Sequence, residues 1–430
     1  MRAMEIPFLA RARNATVGDV LRLYRDLLHR EPESAQVVAE KQGWPIIDVA
    51  IAFAQSPEFL ARARSATAED VSRLEGVTNA GCLSKDLSRG KAKGVRRLSF
   101  VRKSIRVARG YSERERPVIL MYHRVARLAH DPWQLAVSPE RFVQQIEALV
   151  QLRRVVPLQW LAAKLSRGRL PRKVAAVTFD DGYSDVLADA KPVLDHFTCP
   201  ATVFLASGAI GSRAFWWDEL SRMVFEPRVL PPELVMEIAG RVHRWRCDSR
   251  PTGSVETAVF DDSPTASREE FLAAIWRLLR LLDPELRWEL LTRLGTWAGI
   301  ETESTCASRP LTEREVRRLS TPGFIDIGAH TVTHPVLPSL DDASRRFEIN
   351  DSRRACEELI GGQIHTFAYP FGDFDEATVD YVRSAGFACA CTTKPERLSI
   401  RSDLMLLPRL GIYDWEGSEF ARRLDCSEGM

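Results

Sequence analysis

Two periods run through the apolar positions of this chain, and the change from one to the other outlines its parts. Over residues 16–64, Val17, Val20, Leu21, Tyr24, Leu27 and Leu28 recur at helical spacing, and further helices are predicted over 35–41 and 46–55, which makes a small all-α unit. Over 65–116 the apolar positions thin to Leu98, Val101, Ile105 and Ala108 along one side of a predicted helix, with Arg96, Arg97, Arg102, Lys103, Arg106 and Arg109 on the other. From residue 117 onward short apolar runs take over: 117–122, 174–179, 201–205, 325–329, 365–369, 387–391 and 406–412 read as buried strands. Helices predicted over 139–152, 344–359 and 376–385, with a closing helix after 415, alternate with them. Strand and helix in alternation predict an α/β domain with a parallel barrel. The alternation lapses between 211 and 311, where Phe215-Trp216-Trp217-Asp218-Glu219-Leu220 leads into two predicted amphipathic helices, 233–246 and 268–294.

Two strand ends carry the candidate chemistry. The run over 174–179 stops at Asp180-Asp181-Gly182, two carboxylates at the carboxyl end of a strand, where enzymes with parallel sheets place their reactive groups. Successive strand residues point to opposite sides, so the two acids are expected to face different surroundings unless the strand has begun to turn. Taken alone, Asp-Asp-Gly is more often a polar turn. The run over 325–329 leads into His330-Thr331-Val332-Thr333-His334, whose two imidazoles at i and i+4 would share one face of a helical turn and reach a single metal ion. Taken alone, such a pair is as often a surface or core accident. Together, a His pair and one carboxylate make three protein ligands with positions left for water and substrate, a set also known in iron oxygenases.

Thr178-Phe179-Asp180-Asp181-Gly182, then His330 to His334 with Pro335, then Phe367-Ala368-Tyr369-Pro370-Phe371-Gly372, resemble in order the first three motifs of the polysaccharide deacetylase family, also called NodB-homology or carbohydrate esterase 4. The resemblance covers residues 117–410 and implies a distorted (β/α)7 barrel, in which 211–311 is an insertion. It assigns Asp181, His330 and His334 to a divalent metal, most often zinc, and Asp180 to the general base. A carboxylate bound to a cation stays ionised and is a poor base, which agrees with that division. The resemblance also places the Phe371 backbone N–H at the oxyanion, with Tyr369 and Pro370 shaping the same motif. Two departures stand out. The C-terminal Leu-x-His of most relatives is missing, and Leu120-Met121-Tyr122-His123 resembles instead the permuted branch, in which an N-terminal His is the acid; a structural His at a strand end is the competing reading of His123. Ala368 stands where the third motif commonly has an Arg, and Arg409 is the candidate to replace it. The Trp216–Trp217 pair reads either as a sugar-stacking cover or, more simply, as packing between insertion and barrel.

At 430 residues the chain is long enough for two or more units. With 60 Lys and Arg against 58 Asp and Glu, its charge gives no support for nucleic-acid binding. The eight cysteines lack paired CxxC spacing, residues 1–7 lack a secretory core, and no stretch reaches the roughly 20 apolar residues of a membrane span; a cytoplasmic protein with reduced thiols is expected. Tyr24 to Pro32 and Ser56-Pro57-Glu58-Phe59 resemble the DUF4214-type helical repeat that accompanies bacterial glycosyltransferases and surface-polysaccharide proteins. That resemblance and the amphipathic basic segment imply peripheral docking through residues 1–116 to a membrane surface or a glycosyltransferase; a solvated linker is the plainer alternative. The expected activity is a metal-dependent N-deacetylase acting on N-acetylated hexosamine in an exopolysaccharide, an oligosaccharide or a lipid-linked oligosaccharide. An O-acetyl esterase, or a glycan-binding protein with a vestigial site, are the alternatives.

Overall fold

The computed structural model describes residues 113–425 apart from 213, 239, 248–266, 301–308 and 321–322. The predicted helical unit over 1–64, and the basic segment up to residue 112, lie outside the described residues. One parallel sheet of eight strands has seven along its path, β1 (Val118–Tyr122), β2 (Val174–Phe179), β3 (Ala201–Leu205), β4 (Ile325–Ala329), β5 (Thr366–Ala368), β6 (Cys389–Cys391) and β7 (Leu410–Gly411), side by side in the order β6-β5-β4-β3-β2-β1-β7, and an eighth, Arg154–Val155, beside the start of β2. All side chains of β2 and β3 are buried, as a strand covered on both faces requires. The one hydroxyl that points inward from β2, Thr178, donates to the Leu120 carbonyl at 2.7 Å. Register is continuous where the strands are long: Val118 pairs with Ala175 through to Tyr122 with Phe179, and Ala201 with Ile325 through to Leu205 with Ala329.

The barrel is distorted because β6 and β7 are short. Between them the segment before β7 closes the gap, with Thr392 N–H donating to Leu407 O and Leu407 N–H to Ala390 O, both at 2.8 Å. Helices α1 (Pro139–Leu152), α2 (Trp216–Phe225), α3 (Arg268–Leu279), α4 (Pro284–Ala298), α5 (Asp342–Ile360), α6 (Glu376–Ser384) and α7 (Gly417–Asp425) complete the main elements. None is long and apolar enough to cross a membrane among the described residues. The five described cysteines, Cys199, Cys247, Cys356, Cys389 and Cys391, are buried free thiols.

The insertion differs from its sequence expectation in two places. Residues 233–246, expected as a helix, form an antiparallel hairpin of Glu233–Ile238 and Arg241–Arg246. Leu234, Met236 and Ile238 are buried while Glu233, Val235 and Glu237 are exposed, a period of two that β-branched residues favour, and Gly240 turns the chain at φ +75°. The expected long helix over 268–294 is two helices. Ser267 and Glu270 form a capping box at the start of α3; Pro284 cannot continue a helix, and Asp283 caps α4 by accepting from Leu286 N–H at 2.9 Å.

Candidate active site

The carboxyl ends of β1, β2, β4 and β5 deliver His123, Asp180–Asp181, His330 and Tyr369 to one face of the barrel. The strand has begun to turn at the acidic pair: Asp181 takes φ 71° and Gly182 φ 90°. A Cβ at 182 would lie 2.6 Å from Leu205 Cδ2, so glycine alone fits there. The turn sends the neighbouring carboxylates to different partners.

Asp181 faces the imidazoles. Its Oδ1 lies 3.5 Å from Nε2 of both His330 and His334, and the three rest within a shell where each offers a ligand atom less than 4.8 Å from the others. The His pair is not on a helical turn, contrary to the i, i+4 expectation. Thr331 at φ 66° and His334 at φ 54° break helical geometry, the Thr331 hydroxyl accepts from His334 N–H at 3.1 Å, and Pro335 disfavours a helical residue before it. The loop is clamped instead by Glu348 on α5, which accepts from Val332 N–H at 2.7 Å, Thr333 N–H at 2.9 Å and the Thr333 hydroxyl at 2.6 Å. His330 Nδ1 sits 2.7 Å from the Ala368 carbonyl; it donates there and leaves the Nε2 lone pair toward Asp181. Burial first, then the neighbouring His330, pushes His334 down to about 3, so its imidazole is neutral. Burial works against the Asp181 carboxylate, but the two imidazoles hold it below the usual range. One ionised carboxylate and two imidazole nitrogens converging on one point fit a divalent cation of the zinc type, and the buried His334 Nδ1 has no hydrogen-bond partner among the described residues.

Asp180 faces the other way. Arg409, fully buried just before β7, donates from both terminal nitrogens to the two carboxylate oxygens at 2.6 Å each. The same guanidinium is anchored by Nε to the Thr392 carbonyl at 2.9 Å and reaches the Thr178 hydroxyl at 3.2 Å. Burial opposes ionisation of Asp180, yet Arg409 holds the carboxyl far below its ordinary value. His123 is half-buried beside the pair. Phe371 adopts φ 58° and its ring stands 4.5 Å from that of His334. Pro370 is buried, and the Tyr369 hydroxyl donates to Met405 O at 3.0 Å, which commits that side chain to the turn.

Trp216 and Trp217 are buried, the packing alternative; the Trp217 ring lies 4.8 Å from that of His334, tilted by 52°, and its indole N–H donates to the Tyr183 hydroxyl at 2.8 Å. Glu348 and the Ala368 carbonyl were not anticipated from sequence. Each acts across the fold on a residue far away in the chain, and only the polar position of Glu348 on the buried side of α5 hinted at a role.

Residues 167–230 and 250–390 match the family model described as polysaccharide deacetylase. The chain belongs to the polysaccharide deacetylase family. Among curated deacetylases, the putative polysaccharide deacetylase YxkH of Bacillus subtilis (strain 168) is 26% identical over 116 residues, 27% of this chain and 41% of that one, so the match spans well under two thirds of the relative. Among solved deacetylase structures, the Streptococcus pyogenes deacetylase PplD in complex with acetate aligns at TM-score 0.45 and 18% identity, covering 71% of this chain and 97% of that chain. IcaB from Ammonifex degensii aligns at TM-score 0.44 and 18% identity over 73% and 98%.

Proposed function

We propose that the chain is a metal-dependent hydrolase that removes acetyl groups from N-acetylated hexosamine units of a glycan, with zinc as the metal. The observation that carries this reading is the split of one acidic pair. Asp181 shares a point with two imidazoles, while Asp180, one residue away, is withheld from that point by Arg409. A cation held by Asp181, His330 and His334 would supply Lewis acidity to the acetamide carbonyl and lower the pKa of water at the site.

The remaining work falls to this chain's own groups. Asp180, ionised and fixed in one orientation by Arg409, takes the proton of the attacking water. Arg409 lowers its intrinsic basicity, and the fixed geometry offsets that loss. The Phe371 backbone N–H donates to the oxygen on which negative charge develops. His123, half-buried at the rim, gives a proton to the departing amine, so that amide and water yield acetate and a free amino sugar.

The test is a screen of the metal-loaded full-length protein against N-acetylglucosamine oligomers and O-acetylated sugars, scoring acetate and free amine together. Equal amounts of both from the N-acetylated substrates are expected. Acetate without amine, from O-acetyl sugars alone, would change the reading to an esterase.

A further inference from the structure

A run of aromatic rings leaves the metal-ligand loop, passes through the insertion at Trp276 and ends on the loop between β1 and α1. His334 meets Phe371 at 4.5 Å, Phe371 meets Trp276 of α3 edge-on at 5.6 Å, and Trp276 meets Trp133, from the loop between β1 and α1, at 5.4 Å. Trp216 and Trp217 are sealed in the core, whereas Phe371, Trp276 and Trp133 each keep part of their surface in contact with solvent. Trp133 is held in place by its indole N–H, which donates to the Ser221 hydroxyl at 2.8 Å. Above the inner rings lies Arg280, its guanidinium carbon 4.9 Å from the centroids of both Trp276 and Phe371. The same guanidinium pairs with Asp373 at 2.6 Å, and both side chains are partly exposed, at 24% and 39%.

We infer that the insertion supplies a second sugar-binding position, in which Trp276 and Trp133 stack on the hexose next to the one being deacetylated and the Arg280–Asp373 pair takes its hydroxyls. This rests on the deacetylase reading, because the position is defined by its distance from the catalytic loop.

The chemistry of the wall selects its occupant. A pyranose offers a face of C–H groups, which matches a partly exposed indole, and a rim of hydroxyls that both donate and accept. Arg280 has donors and no acceptor; Asp373 has acceptors and no donor when ionised; side by side they satisfy a hydroxyl in both senses. Because the pair is neutral as a unit, it suits an uncharged sugar better than a uronate or a phosphate, which would call for an unpaired cation. The two ring contacts and the ion pair with Asp373 together restrain the guanidinium, so little freedom is lost when a sugar docks. The wall lies two ring contacts out from His334, which calls for a substrate of at least two sugars.

The decisive comparison uses the zinc-loaded full-length protein, Trp276→Ala and Trp276→Phe, on N-acetylglucosamine and its tetramer, with metal content measured in each. For Trp276→Ala, kcat/KM on the tetramer is expected to fall about tenfold, mostly through KM, with a change of no more than about twofold on the monosaccharide. Trp276→Phe should recover most of the loss. Equal losses on both substrates, or none on the tetramer, would overturn the second position. Tetramer binding by calorimetry separates the two readings. A wild-type protein that binds the tetramer through Trp276 yet releases no acetate would keep the wall and remove the deacetylase. One that neither binds nor cleaves it would remove both.

Discussion

Arg409 of the barrel and Arg287 and Arg268 of the insertion are all buried, and they do opposite things. Arg409, at the end of the barrel, spends its guanidinium on the Asp180 carboxylate. Arg287, on α4 of the insertion, is 2% exposed and donates to the carbonyls of Leu279 and Leu282 at 3.0 and 2.7 Å. Arg268, at the start of α3, reaches the carbonyls of Val224, Pro227 and Arg228. Burial pushes Arg287 down to about 10, whereas the same cost for Arg409 is outweighed by Asp180, which raises it. An arginine buried on a carboxylate fixes a charge that chemistry can use. One buried on carbonyls ties chain ends together and reaches the site only through its field, as the last of several influences on His334. In the proposed reading, Arg409 serves the reaction, and Arg287 and Arg268 brace the insertion that carries the wall.

The largest effects should come from the barrel. Arg409→Met leaves a buried carboxylate without its counter-charge, which costs about 3–5 kcal/mol of stability. Activity per folded molecule should drop on the order of a hundredfold or more as Asp180 loses its orientation. Asp180→Asn should keep the metal and lose activity by about a thousandfold, whereas His330→Ala should lose metal and activity together. Metal content measured beside acetate release decides: an Asn variant stripped of metal would erase the division between the two acids.

The same contrast explains what the sequence could reveal. In the barrel, burial on both faces and chemistry at strand ends coincide, so the runs that become β2, β3 and β4, and the acids and imidazoles after them, were legible. Arg409 was readable only because Ala368 left a place to fill. In the insertion two signals competed. Glu233, Leu234, Val235, Met236, Glu237 and Ile238 alternate with a period of two, but the segment is long enough for an apolar helical stripe, and tertiary packing chose the strand. Pro284 is a helix breaker between two apolar periodic runs, and the expectation of a single helix runs across it. The loop from His330 to His334 was misread for another reason. Its shape is imposed by Glu348, sixteen residues after Val332, through a carboxylate clamp that local pattern does not encode.

Between the two regions sits a shared charge, and it gives the next prediction. Arg124, after β1, pairs with Asp185 at 2.9 Å and approaches Asp218 of α2 only to 3.8 Å. Left with the weaker share, Asp218 is pushed by burial from 3.8 up to about 7. The folded state then binds a proton more tightly than the unfolded chain. The stability this adds is fully present below pH 3.8 and is lost as pH rises toward 7. Asp218→Asn removes the titration. In chelator-treated protein the variant should gain about 4 kcal/mol relative to wild type between pH 4 and pH 8. Denaturant unfolding at both pH values measures it; an identical difference at each would mean that Asp218 is ionised throughout.

The smallest effect belongs to the brace. Arg287→Met keeps much of the apolar stem but removes the donors to Leu279 and Leu282, leaving two carbonyls at the break between α3 and α4 to find other partners. The lost bonds cost on the order of 1 kcal/mol each, and relief from burying a charge offsets part of that, so a net loss near 1 kcal/mol is expected. Because this arginine touches carbonyls and the Trp216 ring rather than an acid of the site, kcat/KM on a monosaccharide should stay within about twofold. On a tetramer it should weaken further, since α3 carries Trp276 and loosening its end tilts the wall. Unfolding midpoints and the two kcat/KM values, taken on one preparation, test this. A variant that loses as much activity on the monosaccharide as on the tetramer would show that the brace reaches the reacting groups, and the separation of the two buried arginines would fail.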